Sequence, residues 1–153
     1  MQISEPTTLI TDYVLALFSA IFGVLLIRVR THRVTLSWGI GFLTLAAAGL
    51  TGGSFHGFRL AMSESAYRSL WNVTLILIGA SAGFMISAAL AGPLSRYDRN
   101  TRWLAAGLLV SVGGLVIQQG HLSIAENFNH NDLFHCVQIV ALYCFFRGAR
   151  MTA

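Results

Sequence analysis

Apolar residues gather into five long stretches, each closed by charged or turn-forming residues. They run near Thr8–Ile27, Thr35–Phe58, Leu70–Leu90 and Trp103–Gly120, with a last one from about Asn131 to Arg147. A helix of roughly 20 apolar residues matches a hydrocarbon core about 30 Å thick. The pattern therefore predicts an all-α integral membrane protein, a bundle of about five transmembrane helices. Arg28, Arg30 and Arg33 close the first stretch, and Gly92-Pro93 stops the third. No internal repeat or low-complexity linker interrupts the chain, so residues 1–153 form a single bundle domain. The first stretch has no Lys or Arg ahead of it and is longer than the apolar core of a signal peptide, so it reads as a retained first helix.

Composition strengthens this picture. Of 153 residues, 55% are hydrophobic and only 10% charged, whereas a soluble domain carries about 25% charged residues. The mean hydropathy is +0.66. The net charge of +4 comes entirely from arginine, with no lysine in the chain. No basic stripe with interleaved aromatics accompanies it, which excludes nucleic acid as the expected partner. Cys136 and Cys144 share one helix and lie about 12 Å apart along its axis, too far to bridge.

Charge position matters more than net charge. Arg28, Arg30 and Arg33 lie between the first two stretches, Arg96, Arg99 and Arg102 between the third and fourth, and Arg147 and Arg150 after the fifth. An odd number of spans puts all of these on one side, leaving Arg59 and Arg68 on the other. Arginine accumulates on the cytoplasmic side of membrane proteins. This predicts an outside amino terminus, a cytoplasmic carboxyl terminus and residence in the cell's inner (plasma) membrane, with the lipid bilayer as the main surrounding partner.

That topology collects the polar residues at the outer end. His56, His121, His130 and His135 fall there, with Glu5, Asp12, Glu64, Glu126 and Asp132; His32 and Asp98 fall inside. Asp12 lies about 7 Å and His135 about 6 Å below the surface, counted at 1.5 Å per residue, and His56 sits at a similar level. Ionisable groups at such depth face the bundle or a wet cavity. Residues three and four apart share a helix face. Thr8, Asp12, Ala16 and Ser19 form one such stripe, Ala48, Gly52 and His56 a second, Ser111, Gly114, Gln118 and His121 a third, and Asn131, His135 and Gln138 a fourth. Gly49 and Gly53 have the spacing that lets helix backbones approach closely. Asn131 and Asp132 also suit a helix cap.

Two chemistries can use this layer. Zinc takes three protein ligands plus water when catalytic. His56 and His135 offer two imidazoles, His130, Asp132 or His121 a third ligand, and Asp12 a catalytic proton acceptor or a group that orients a ligand. Alternatively, His56 and His135 flank a non-covalently bound haem b, as in a redox-complex subunit. A structural accessory subunit, in a complex or as a homo-oligomer, is the reading without chemistry.

The segment Gly52-Gly53-Ser54-Phe55-His56-Gly57-Phe58 resembles the small-residue–Phe-His element of the alkaline ceramidase-like superfamily of membrane hydrolases. His130–Gln138 resembles its last-helix HxxxH element, and also segments of small uncharacterised bacterial membrane proteins. The superfamily resemblance implies zinc ligation by His56 and His135 and hydrolysis of lipid-like amides or esters. Gly52 stands where that superfamily carries Ser, and Asn131 where it carries the first His of the pair.

Overall fold

A computed structural model describes residues 2–29, 32–91, 99–125 and 128–151. Arg30, Arg96, Asp98, Glu126 and the Gly92-Pro93 stop lie outside the described residues, as does the side chain of Arg99. Among the described residues five α-helices form: α1 (Pro6–Arg28), α2 (Arg33–Gly57), α3 (Glu64–Ala91), α4 (Arg99–Gln119) and α5 (His130–Arg150). A single 3-10 turn at Arg59–Ala61 links α2 to α3. Each helix covers one of the apolar stretches.

Helices α1 to α4 are long and apolar enough to cross a membrane. Helix α5 has 21 residues and so spans about 31 Å, but it carries Asp132, His135, Gln138 and Arg147 on the same rod. Its polar residues turn toward its neighbours. Gln138 Nε2 donates to the Ser111 carbonyl at 3.3 Å, Ser111 Oγ donates to Gln138 Oε1 at 3.2 Å, and Gln118 Nε2 donates to Asn131 Oδ1 at 3.3 Å. The polar stripes of α4 and α5 therefore satisfy each other.

The helices pack in the spatial order α3, α2, α1, α5, α4. Helix α3 rests on α2 and α4 rests on α5, and among the described residues α3 and α4 have no extensive contact with each other. Large apolar side chains such as Ile76, Leu90, Leu109 and Val116 point outward from these two helices, each more than half exposed. This inverts the pattern of a soluble helix. Toward the Arg28 and Arg147 end, the interior is aromatic: Phe22 stacks on Phe146 with ring centroids 4.7 Å apart and meets Phe42 edge-on at 5.8 Å.

Close approach of α1 and α2 depends on Gly49. A β-carbon there would stand 3.0 Å from both the Ala16 β-carbon and the Asp12 carbonyl oxygen. Backbone cannot yield as a flexible side chain can. Gly79, at the matching spacing on α3, has nothing within 4 Å.

Gly49→Ala and Gly79→Ala should therefore change stability in opposite directions. A well-packed site loses about 1–3 kcal/mol on overpacking, whereas an open helical glycine gains up to about 1 kcal/mol on becoming alanine. Thermal unfolding of detergent-solubilised protein measures both. Equal shifts would contradict the packing described.

Candidate functional site

The end of the bundle that carries the histidines is polar inside. Helix α1 supplies Thr8, Thr11 and Asp12, one turn apart or adjacent. Thr8 and Asp12 are buried at 1% and 5% relative exposure. Helix α5 faces them with Asp132, fully buried, and His135, 9% exposed.

The start of α5 fixes where these groups stand. Asn129 caps the helix: its side-chain oxygen accepts from the backbone N–H groups of Asn131 at 2.8 Å and Asp132 at 3.3 Å. Asp132 closes the box by accepting the Asn129 N–H on Oδ2 at 2.8 Å. Such a reciprocal cap satisfies two helix-end donors, and a carboxylate in the first turn opposes the helix dipole. The capping expected of Asn131 is performed by Asn129, while Asp132 has the capping role anticipated for it. Asn129 also ties the cap to α1, its Nδ2 donating to Thr8 Oγ1 at 3.4 Å.

Both ring nitrogens of His135 are engaged. Nδ1 lies 3.0 Å from Thr11 Oγ1, and Nε2 lies 3.3 Å from Asp12 Oδ1. Thr11 Oγ1 also reaches Asp132 Oδ1 at 3.4 Å. A continuous line of contacts thus runs Asp132–Thr11–His135–Asp12. At its far end Asp12 Oδ2 is buried without a hydrogen-bond partner. Gly52 stands opposite, where a β-carbon would be 3.5 Å from that oxygen, so the absent side chain leaves space in front of the carboxyl group.

That space is a cavity of about 330 Å³. Residues from all five helices line it, among them Asp12, His56, Trp71, Gln118, Asn131 and His135. His56 belongs to the same wall, but its Nδ1 turns to Glu5 Oε2 at 3.1 Å. That contact and the Ser4 N–H bond to the Gly57 carbonyl at 3.0 Å strap the amino-terminal segment across the end of α2. The rim is aromatic: Phe55 stacks on Tyr67 with centroids 4.0 Å apart and tilts against Trp71 at 4.7 Å. Arg59 lies 3.7 Å over the Tyr67 ring. Farther down, a mostly apolar groove of about 440 Å³ lies between α3 and α4, lined by residues such as Trp38, Met85, Leu90, Leu108 and Phe145.

The expected site residues thus separate into groups. Asp12 and His135 meet, His56 joins their cavity, and Asp132 stands behind His135. His130 is the first residue of α5 and packs edge-on against His121, centroids 4.7 Å apart. His121 lies beyond the end of α4, exposed and with φ of 51°, so it does not continue the inward stripe of Ser111, Gly114 and Gln118. Glu5, Thr11, Asn129 and Trp71 were not singled out by the sequence pattern. Thr11 alone had a usable signal, as the neighbour of a membrane-depth Asp in the run Thr7-Thr8-Leu9-Ile10-Thr11-Asp12.

This donor set does not fit zinc as the resemblance implies it. Among the described residues no three His, Cys, Asp or Glu side chains form a group able to hold a metal ion. Both oxygens of Asp132 and both ring nitrogens of His135 already have protein partners. Haem ligation needs a free nitrogen from each of two imidazoles, and His135 offers none in this arrangement. What the arrangement holds is a buried carboxyl–imidazole pair with one oxygen facing a cavity, the geometry of an acid–base group within reach of a ligand. Asn131 adds an amide NH₂ in the same wall.

The chain belongs to a family of unknown function, DUF6962, whose model matches residues 7–97 and 91–153. Comparison with curated proteins and with solved structures finds no match.

Proposed function

We propose that this protein is a five-span membrane hydrolase in which Asp12 and His135 act as the acid–base pair on a lipid-like amide or ester. The observation that carries the reading is the unpaired Asp12 Oδ2, buried at the wall of a cavity that also holds His56, Asn131 and Gln118. A buried polar atom without a partner costs about 1–3 kcal/mol, and a water or a substrate group seated in the cavity relieves that cost.

The surroundings support the substrate class. The cavity is polar at one end, while the groove between α3 and α4 is apolar and those helices do not close on each other. A polar head group fits beside Asp12, and a hydrocarbon chain fits the groove. The likeness of the His56 and His135 segments to ceramidase-like hydrolases supports the same reaction class. In the reaction, Asp12 Oδ2 takes a proton from water as the water oxygen bonds to the acyl carbon. The pair then returns a proton to the departing amine or alcohol as the old bond breaks. The NH₂ of Asn131, which lines the same cavity, donates to the acyl oxygen. No step passes through a metal.

The arginine distribution supports an outer site, with the amino terminus outside and the carboxyl terminus in the cytoplasm of a cell bounded by this inner membrane. Helix α5 is then the fifth span, its polar face covered by α1 and α4.

Purified protein in proteoliposomes should hydrolyse long-chain acyl esters or acyl amides carrying a fluorogenic leaving group. Loss of a general acid–base group costs about 10²–10⁴-fold, so Asp12→Asn and His135→Gln should each lose activity on that scale. Activity should survive strong chelation. Hydrolysis of no substrate in the panel overturns the hydrolase reading, and abolition by chelator overturns its metal-free form.

Topology has its own test. A reporter active only in the cytoplasm, fused after Ala153, should be active. An inactive fusion to stable, inserted protein would overturn the five-span orientation.

A further inference from the structure

The line of contacts behind His135 is longer than an acid–base pair requires. Its direction can be worked out from proton counting.

Thr11 has one hydroxyl proton and three acceptors in reach: the Thr8 carbonyl at 3.1 Å, Asp132 Oδ1 at 3.4 Å and His135 Nδ1 at 3.0 Å. The Thr8 carbonyl sits three residues earlier on the same helix. His135 Nδ1 can be a donor itself. Asp132 is fully buried. Its Oδ2 is held by the Asn129 N–H, and among the described residues the hydrogen-bond donor to Oδ1 is Thr11. Leaving a buried carboxylate oxygen without a donor is the costliest of the three choices. The Thr11 proton therefore points to Asp132, and the Thr11 oxygen is left to accept from Nδ1.

We infer that Thr11 and Asp132 are positioning residues that hold His135 with its proton on Nδ1, so that Nε2 is the basic nitrogen turned to Asp12. The inference deepens the proposed acid–base role and rests on that reading for its consequence in catalysis, though not for the tautomer itself. Which ring nitrogen carries the proton is set by the partner of the other.

The consequence is a balanced relay. In the resting state Nε2 accepts the proton of Asp12, bonded to Oδ1. When water gives a proton to Asp12 Oδ2, the Oδ1 proton passes to Nε2. One O–H bond of water breaks, and the hydroxide oxygen bonds to the acyl carbon. Asp12 is a neutral acid before and after, and His135 becomes an imidazolium. Its charge faces Asp132 through the Thr11 hydroxyl. The reverse passage delivers the proton to the leaving group. Glu5 is turned to His56, which lines the cavity, and takes no part in the relay.

The alternative is that Asp132 only caps α5. The two roles use different oxygens, since the cap bonds to Oδ2 and the relay to Oδ1. Thr11→Val removes the relay hydroxyl and leaves the cap intact, while Thr11→Ser restores the hydroxyl. The experiment is nitrogen NMR of full-length protein in nanodiscs with ring-labelled histidine, the His135 signals being assigned by their loss in His135→Gln. The wild type should show Nδ1 protonated and Nε2 as acceptor. Thr11→Val should lose that preference and Thr11→Ser should recover it.

A wild-type His135 carrying its proton on Nε2 with a bare Nδ1 overturns the inference, as does a Thr11→Val spectrum identical to wild type. The wild-type spectrum decides even where a variant fails to fold. Because the tautomer is read in resting protein, failure to hydrolyse any lipid leaves this result standing. Where hydrolysis is seen, Thr11→Val should lower kcat at least 10-fold with KM within 2-fold, in proportion to roughly 1.4 kcal/mol of transition-state stabilisation. A KM change alone would count against the relay.

Discussion

A carboxyl group about 7 Å along an apolar helix, at 1.5 Å per residue, must find its partner inside the protein. Asp12 has that position, and His135 is the partner, 3.3 Å away. Much of the polar half follows from this one contact. It brings α1 and α5 together although they are the first and last helices of the chain. Helix α2 then approaches α1 from the other side, close enough that Gly49 sits against the Asp12 carbonyl. With α1 held between α2 and α5, the outer helices α3 and α4 rest mainly on α2 and on α5 respectively. The space they fail to close is the cavity and groove in which the proposed chemistry takes place.

The two halves of the bundle are stabilised differently. At the Arg147 end, Phe22, Phe42, Trp38 and Phe146 fill the interior by shape. At the His135 end, hydrogen bonds replace volume, and Asp12 Oδ2 faces the cavity without a partner among the described residues. Hydrophobic burial gives little drive between helices within a hydrocarbon solvent, so close packing and polar contacts carry helix association there. A polar layer that is nearly satisfied is rigid, and an unsatisfied oxygen facing a cavity is the natural place for a ligand.

Much of this was legible in the sequence. The helix ends follow the apolar stretches because a helix stops where Arg, Gly or a capping residue stops it. The inward faces of α1 and α2 follow from spacing, since Thr8, Asp12, Ala16 and Ser19 are all buried and Gly52 and His56 both line the cavity. The supporting residues were harder to see. Thr11 is adjacent to Asp12, so it lies about 100° around the helix and off the stripe; it faces α5 because α1 is gripped from two sides. Glu5 lies in the segment ahead of α1, where no periodicity says which way a side chain turns. The resemblance and the shared depth of four imidazoles at one end together suggested a metal group. Depth does not give azimuth, and His121 and His130 pair with each other instead of with His135.

The account stands on the Asp12–His135 contact, and a double-mutant cycle measures it directly. Asp12→Asn, His135→Gln and the double variant would be compared with wild type by thermal or denaturant unfolding in the same detergent. Residues in one hydrogen-bonded network show coupling energies of about 0.5–3 kcal/mol, whereas independent sites add within about 0.3–0.5 kcal/mol. The account predicts coupling of about 1 kcal/mol, given that both side chains are nearly buried and a hydrogen bond between neutral groups contributes about 0.5–1.5 kcal/mol. Strict additivity would mean that Asp12 and His135 do not hold α1 to α5, and the arrangement of the polar half would need another cause.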